Sequence, residues 1–299
     1  MCGIVGLFLK DKSLEPELGA MLSKMLGVMC DRGPDSAGFA IYGTGTPGMV
    51  KLTLRATAAT DFAALARQVE TALGGKITHT TRDTHSIFSV PAEREADARL
   101  IIARLAPEIT VVGAGARMEL YKEVGLPAAV ARRFRLDAMA GTHGIGHTRM
   151  ATESAVTTDG AHPFSTGLDQ CLVHNGSLSN HRGVRRGLEQ EGLRLTTDND
   201  SEVAAAYITS RMRKGDTLGA ALTHSLDDLD GFYTFVVGTE TGFGVLRDPI
   251  ACKPAVMAET GRYVAFGSEY RVLVDLPGID TAKIWEPEPA KVYFWDHAA

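Results

Sequence analysis

Met1-Cys2-Gly3-Ile4-Val5-Gly6 opens the chain, and the reading of the whole sequence turns on it. Removal of Met1, which aminopeptidase performs ahead of a small residue, leaves a thiol and a free α-amine on the single Cα of Cys2. An α-amine with an ordinary pKa of roughly 7.7 to 8.0 can take the proton of a thiol near 8.5, directly or through water. Nucleophile and general base then share one residue, and no histidine base is needed. Taken alone, the cysteine reads as a small apolar residue at the start of a strand over 2–9, because free cysteine packs as a hydrophobe. The rest of the chain reverses that reading.

Outward from this strand, short β-rich segments recur, each ending in Gly, Asp or Asn: 38–42, 50–57, 144–149, 170–174, 232–239, 242–247, 263–267 and 291–295. Most connections are too short for a crossover helix, which predicts antiparallel pairing. Helical patterns fall at 15–29, 179–191, 200–213 and 217–226, with Ser179, Asp200 and Asp216 as caps. Sheets with segregated helices point to a layered α+β fold. The stretch at about 60–137 reads differently: helix 62–73, strand 77–81, helix 93–105, strand 109–112, then helices 119–124 and 128–134, an α/β insertion in the sheet domain. Within it, Gly113-Ala114-Gly115 has the form of a dinucleotide turn, but Met118 stands where the third glycine belongs, so an ordinary tight turn is expected.

Composition narrows the function. With 299 residues, 44% hydrophobic and 22% charged, the chain is long enough for a substantial core and is neither disordered nor fibrous. A net charge of -5 without a long basic run gives no reason to expect nucleic acid; Arg182, Arg185 and Arg186 form one polar helix face. Cys2, Cys30, Cys171 and Cys252 are scattered without a CxxC pair, which argues against a zinc site, an iron–sulfur cluster or a disulfide framework and fits a reducing cytoplasm. The apolar run 4–9 is too short for a signal core, and 100–116 is broken by Arg104 and Glu108, so no membrane segment is expected.

Polar and glycine residues gather in clusters that packing does not require: Arg32-Gly33-Pro34-Asp35-Ser36-Ala37-Gly38, Gly146-His147-Thr148-Arg149-Met150-Ala151-Thr152, Ala161-His162-Pro163, His174-Asn175-Gly176-Ser177-Leu178-Ser179-Asn180, Asn199-Asp200-Ser201-Glu202, Arg247-Asp248-Pro249 and Gly267-Ser268-Glu269. In this order, behind an N-terminal CGIVG, they resemble the class II glutamine amidotransferase domain across most of the chain outside the insertion. The resemblance implies a four-layer αββα sandwich of antiparallel sheets, as in N-terminal nucleophile hydrolases, and attack by Cys2 on the side-chain amide of glutamine.

Glutamine is a zwitterion, so a selective pocket needs a cation for its α-carboxylate and an anion for its α-ammonium. The family's pattern gives these roles to Arg149 and Asp200. The amide oxygen turns anionic in the tetrahedral intermediate, and Asn175, through its side-chain amide, and Gly176, through its backbone N–H, match the donors of the family's HNGxxxN pattern. As an isolated dipeptide, Asn175-Gly176 reads equally as a hairpin turn. Arg32 resembles the arginine that holds the N-terminal region, and Thr152 the residue lining the pocket. His147 and His162 are read as structural hydrogen-bonding residues.

The chain departs from the family at Glu153-Ser154-Ala155-Val156, where many members have a small residue or histidine followed by glycine. The strings HTRMATESAVTTDGAHPF and GAGARMELYKEVGLP resemble stand-alone amidotransferase subunits of glutamate-synthase-like complexes, N-methylglutamate synthase in particular. That resemblance implies L-glutamine or L-glutamate as ligand and partner subunits like the FMN barrel and β-helix of glutamate synthase. FMN and iron–sulfur clusters would then belong to the partners, with no cofactor in this chain and the insertion a docking surface. A catalytically quiet binding subunit of the same complex, an amidotransferase subunit of a glutamate synthase, and an unrelated N-terminal nucleophile amidohydrolase stand as the other readings.

Overall fold

The computed structural model describes residues 2–151 and 155–297. Among them, three antiparallel sheets carry the chain. The first has seven strands in the order β15 (Lys283–Trp285), β13 (Val256–Glu259), β14 (Tyr263–Gly267), β1 (Gly3–Leu9), β8 (His143–Arg149), β2 (Ser36–Tyr42) and β7 (Met118–Val124). The second has five: β16 (Val292–Asp296), β12 (Gly242–Arg247), β11 (Gly231–Gly238), β10 (Gln170–Leu178) and β9 (Phe164–Gly167). The third has four: β4 (Thr78–Arg82), β5 (His85–Pro91), β3 (Met49–Arg55) and β6 (Thr110–Gly115).

Side-chain alternation along β1 shows how the layers form. Val5, Leu7 and Leu9 point to one face, where they meet Leu18, Leu22 and Leu26 of α1 (Leu18–Val28) and Val130 of α4 (Pro127–Arg133). Ile4 and Phe8 point to the other and join Val173, Val236, Phe243 and Val245 of the five-stranded sheet. The far side of that sheet is covered by α5 (His181–Gln190), α6 (Asp200–Arg213) and α7 (Leu218–Asp228), with Leu172, Phe235, Val203 and Leu222 in the contact. The order is helix, sheet, sheet, helix: the four-layer αββα sandwich. Both faces of β1 are buried, which is why Gly3–Leu9 is almost wholly apolar instead of alternating with polar residues.

The third sheet packs α2 (Phe62–Leu73) and α3 (Glu95–Leu105) over one face, around Leu52, Leu54, Val69, Phe88 and Ile102. Its other face meets the body through Ile87 and His85, packed with Tyr121 and Phe134, and through polar contacts. Lys51 Nζ lies 2.8 Å from Glu119 Oε1, and Thr53 Oγ1 accepts the Leu120 N–H at 3.3 Å. The strands of this sheet span 49–115, not the 60–137 of the sequence reading, because β3 pairs with β5 and β6 instead of joining the sandwich. Residues 119–124, expected as helix, are strand β7 at the edge of the seven-stranded sheet, in register with β2 from Ser36↔Val124 to Tyr42↔Met118. The turn after Gly113-Ala114-Gly115 therefore joins two strands. Its N–H groups at Ala116, Arg117 and Met118 all donate to the Asp169 carboxylate, at 2.6, 2.8 and 2.9 Å. This is a nest that holds a protein carboxylate. No helix among the described residues is long and apolar enough to cross a membrane.

Three histidines are folded in their neutral form. Burial pushes His143 and His147 down to about 3, and burial together with the charges of Arg55, Lys122 and Arg133 does the same to His85. An unfolded histidine titrates near 6.5, so below that pH the unfolded chain binds protons that the folded chain refuses, and stability falls with pH. Between pH 7.5 and 5.5 the loss is about 1.4 kcal/mol for each such histidine, or about 4 kcal/mol for the three. We expect the urea midpoint to drop across this window and His143→Gln to flatten the dependence; a midpoint independent of pH would contradict the buried neutral state.

Candidate active site

The two sheets end together where β1 begins, β8 finishes and β10 passes, and this edge is polar. Antiparallel pairing sets Gly3 opposite Thr148, which places Cys2 beside the exit of β8. The Cys2 Sγ lies 3.9 Å from the Met150 carbonyl oxygen. Two donors converge on the Cys2 carbonyl: Asn175 Nδ2 at 3.1 Å and Arg32 Nε at 3.4 Å. An arginine in the turn beyond α1 and an asparagine on the second sheet thus grip the same atom. An asparagine amide carries two N–H groups, and one bond to Cys2 accounts for only one of them.

Arg32 is itself held. Its Nη1 lies 2.5 Å from Glu269 Oε1, and the other oxygen of Glu269 lies 2.5 Å from Arg271 Nε. Burial raises the Glu269 carboxyl, but the hydrogen bonds and charges of Arg32 and Arg271 outweigh it and hold the pKa below the ordinary value. Neighbouring Ser268 closes the arrangement, its Oγ accepting from the Ile4 N–H at 2.9 Å and its N–H donating to the Ile4 carbonyl at 3.0 Å. The sequence reading singled out Gly267-Ser268-Glu269 without assigning a role. The signal was there, in a carboxylate directly beyond a β-strand, but only the folded register shows that it faces Arg32.

Asn175 and Gly176 lie within β10, not in a hairpin turn, paired with Thr234 and Tyr233. Gly176 has φ +151°, and a Cβ there would fall 1.9 Å from the Phe232 carbonyl oxygen. Only glycine fits this backbone, which turns the strand at the site.

Arg149, the last residue of β8, is buried, and its Nη1 donates to the Ala155 carbonyl at 3.3 Å. The space that a Cβ on Gly160 would occupy lies 3.2 Å from the same Nη1. The Gly160 carbonyl accepts from Asn199 Nδ2 at 3.5 Å, so Gly160 bridges Arg149 to the start of α6. There Asn199, not Asp200, caps the helix, its Oδ1 accepting the Ser201 N–H at 2.9 Å. The expected caps Ser179 and Asp216 likewise give way to their neighbours Asn180 and Thr217. Asp200 Oδ2 instead accepts the Leu178 N–H at 2.9 Å, two residues past Gly176.

Around Asp200 the chain is tightly tied. His174 Nδ1 lies 2.8 Å from Ser201 Oγ and 3.8 Å from Asp200 Oδ1, and burial holds the imidazole below its ordinary pKa against the pull of that carboxylate. Buried Glu202 accepts from the backbone and hydroxyl groups of both Thr196 and Thr197, at 2.7 to 3.0 Å. Asp35 Oδ2 accepts the Ala151 N–H at 2.7 Å and fixes the chain leaving β8. His147 and His162 stack with centroids 3.9 Å apart, and His147 Nε2 lies 3.0 Å from the His174 carbonyl. With the His147 pKa near 3 and that of His162 also lowered by burial, neither is poised to act as base near neutral pH. The sequence-singled residues Cys2, Arg32, Arg149, Asn175, Gly176 and Asp200 thus gather at one edge. Met1, Thr152 and Glu153 lie outside the described residues. Among the described residues, no group of three or more His, Cys, Asp or Glu is placed to hold a metal ion.

The glutamine amidotransferase domain family matches residues 147–275. The chain is 64% identical over 298 residues to the glutamine amidotransferase-like protein GlxB of Rhizobium meliloti, covering 99% of both chains. It is 33% identical over 316 residues to a putative glutamine amidotransferase of Methanothermobacter thermautotrophicus, covering 99% of this chain and 100% of the other. In fold it is similar to glutamine phosphoribosylpyrophosphate amidotransferase from B. subtilis, with a TM-score of 0.62 and 20% identity, over 99% of this chain and 48% of that longer one. The chain belongs to the glutamine amidotransferases.

Proposed function

We propose that this chain hydrolyses L-glutamine to L-glutamate and ammonia through a Cys2 thioester, and that it does so as a subunit of a glutamate-synthase-like complex. The observation that carries the reading is the gathering of Arg149, Asp200, Asn175 and Gly176 around the edge where Cys2 sits. Arg149 supplies a fork for the α-carboxylate and Asp200 an anion for the α-ammonium. With Met1 removed, the α-amine of Cys2 takes the thiol proton and the thiolate attacks the side-chain amide carbon. Asn175 Nδ2 and the Gly176 N–H are the donors for the resulting oxyanion. Collapse breaks the C–N bond; the leaving nitrogen takes the proton and departs as ammonia. Water then adds to the thioester, giving glutamate and the free thiol.

Ammonia released into water near neutral pH becomes mostly ammonium and loses its lone pair, so a sheltered acceptor site on another subunit is the natural destination. The complex favoured by the sequence strings is N-methylglutamate synthase, followed by a glutamate synthase, with any FMN and iron–sulfur clusters on the partners. A second reading is a quiet binding subunit of the same complex, in which Met1 stays on and acylates the basic nitrogen.

Intact mass before and after treatment with 6-diazo-5-oxo-L-norleucine separates the two. Loss of Met1 and one adduct on Cys2, absent in Cys2→Ala, is the expected outcome; an intact Met1 with no adduct would establish the quiet subunit. In the active chain, Asn175→Ala should lower kcat by about 10²- to 10³-fold, corresponding to about 2.7–4 kcal/mol of lost oxyanion stabilisation. Arg149→Ala should raise the KM for glutamine sharply, and an unaltered KM would contradict the carboxylate role.

A further inference from the structure

We propose that Arg55, on the small sheet, is a positioning residue for glutamine binding: through its ion pair with Asp159 it fixes the 157–162 segment against the guanidinium of Arg149. The inference rests on the reading of Arg149 as the carboxylate ligand and gives the small sheet a part in the same site.

Arg55 ends β3 in a row that crosses three strands. It stands opposite His85 on β5, which in turn stands opposite Arg82 on β4. His85 packs on Phe134 and Tyr121, so this row faces the sandwich. Arg55 is only 6% exposed, yet it extends to a partner at the surface: its Nη2 lies 2.5 Å from Asp159 Oδ1, on a side chain that is 59% exposed.

The segment around Asp159 is held from the same side at further points. Lys122 Nζ, buried on β7, donates to the carbonyls of Asp159 and Ala161 at 3.2 and 2.8 Å, and the Thr158 hydroxyl donates to Glu123. From its other side the segment meets the site. Gly160 is packed so closely on Arg149 Nη1 that an added Cβ would lie 3.2 Å away, and its carbonyl receives Asn199 Nδ2 next to Asp200. Arg149 also donates to Ala155 just upstream. The wall behind both proposed zwitterion ligands is thus tethered to a sheet outside the sandwich.

The charges make the tether asymmetric. Asp159 offsets two buried cations, Arg55 and Lys122, whose ammonium pKa is pulled down to about 8 by burial with Asp159 opposing. Neutralising Asp159 strands a buried guanidinium, whereas removing the Arg55 charge leaves a carboxylate that water already solvates. Asp159→Asn should therefore loosen the segment more than Arg55→Met, and the double variant should recover part of the loss. Cys2 and Asn175 are held separately, by Glu269 through Arg32 and by the β10–β11 pairing, so the effect belongs mainly to affinity.

The test measures L-glutamine binding by titration calorimetry in a Cys2→Ala background, beside glutamine KM and kcat in the chain with Cys2. We expect Asp159→Asn to weaken binding by about tenfold, Arg55→Met by less, and the double variant to bind better than Asp159→Asn alone, the coupling of residues in contact. Variants that bind glutamine like the parent, or that lose thermal stability and kcat with Kd and KM unchanged, overturn the inference. A parent chain that binds glutamine without turning it over refutes the glutaminase reading alone, and the Kd values still decide this one. A parent chain that does not bind glutamine overturns both.

Discussion

Everything at the site depends on where the Cys2 carbonyl is held. Strand β1 lies between β8 and β14, and its first residues are fixed by Thr148 on one side and Ser268 on the other. Beyond that register, Asn175 and Arg32 approach the same carbonyl from separate layers of the sandwich. A residue ahead of the first strand has few covalent constraints, and without a tertiary anchor it frays. Here the anchors come from strands and from an ion pair, so the thiol gains the rigidity of the sheets without belonging to them. Glu269 matters in this context because it holds the side chain that holds Cys2.

The space between the sheets changes character along its length. Ile4, Phe8, Val173, Val236 and Phe243 fill most of it, while the edge near Cys2 is occupied by His147, Arg149, Asn175 and Asp200 with their partners. His147, Arg149 and Asn175 are buried at the expense of hydration, and such groups need partners in the fold. Glu202 and Asp35 supply partners for the backbone of the loops around them, and Ser201 one for the His174 imidazole. The apolar end fixes the separation of the sheets, and the polar groups gather at the other end.

Much of this was legible in the sequence. Apolar periodicity located α2 and α6 to the residue, and the clustered glycines and polar residues at strand ends named residues that meet in the fold, Asn175 and Arg32 at the Cys2 carbonyl among them. The failures have physical causes. Glu119-Leu120-Tyr121-Lys122-Glu123 looks helical because its charges suggest solvent, yet β7 is packed on both faces and Lys122 spends its ammonium on backbone carbonyls. Strand β5 was invisible because it has no marked alternation of its own, being buried along most of its length between β3 and β4. Asp200 read as a cap because an acidic residue opening a helix usually is one; with Asn199 in that place, its carboxylate is turned toward Leu178 and the site.

Asp169 carries a different consequence. It sits between β9 and β10 of the second sheet and closes the turn that joins β6 of the third sheet to β7 of the first. One carboxylate therefore rivets three sheets at a single corner. Asn175 lies six residues farther along β10, about 20 Å away at the rise of an extended strand. A structure pinned at one corner is freest at the end away from the rivet, and that end is where Ala155 and Gly160 pack against Arg149.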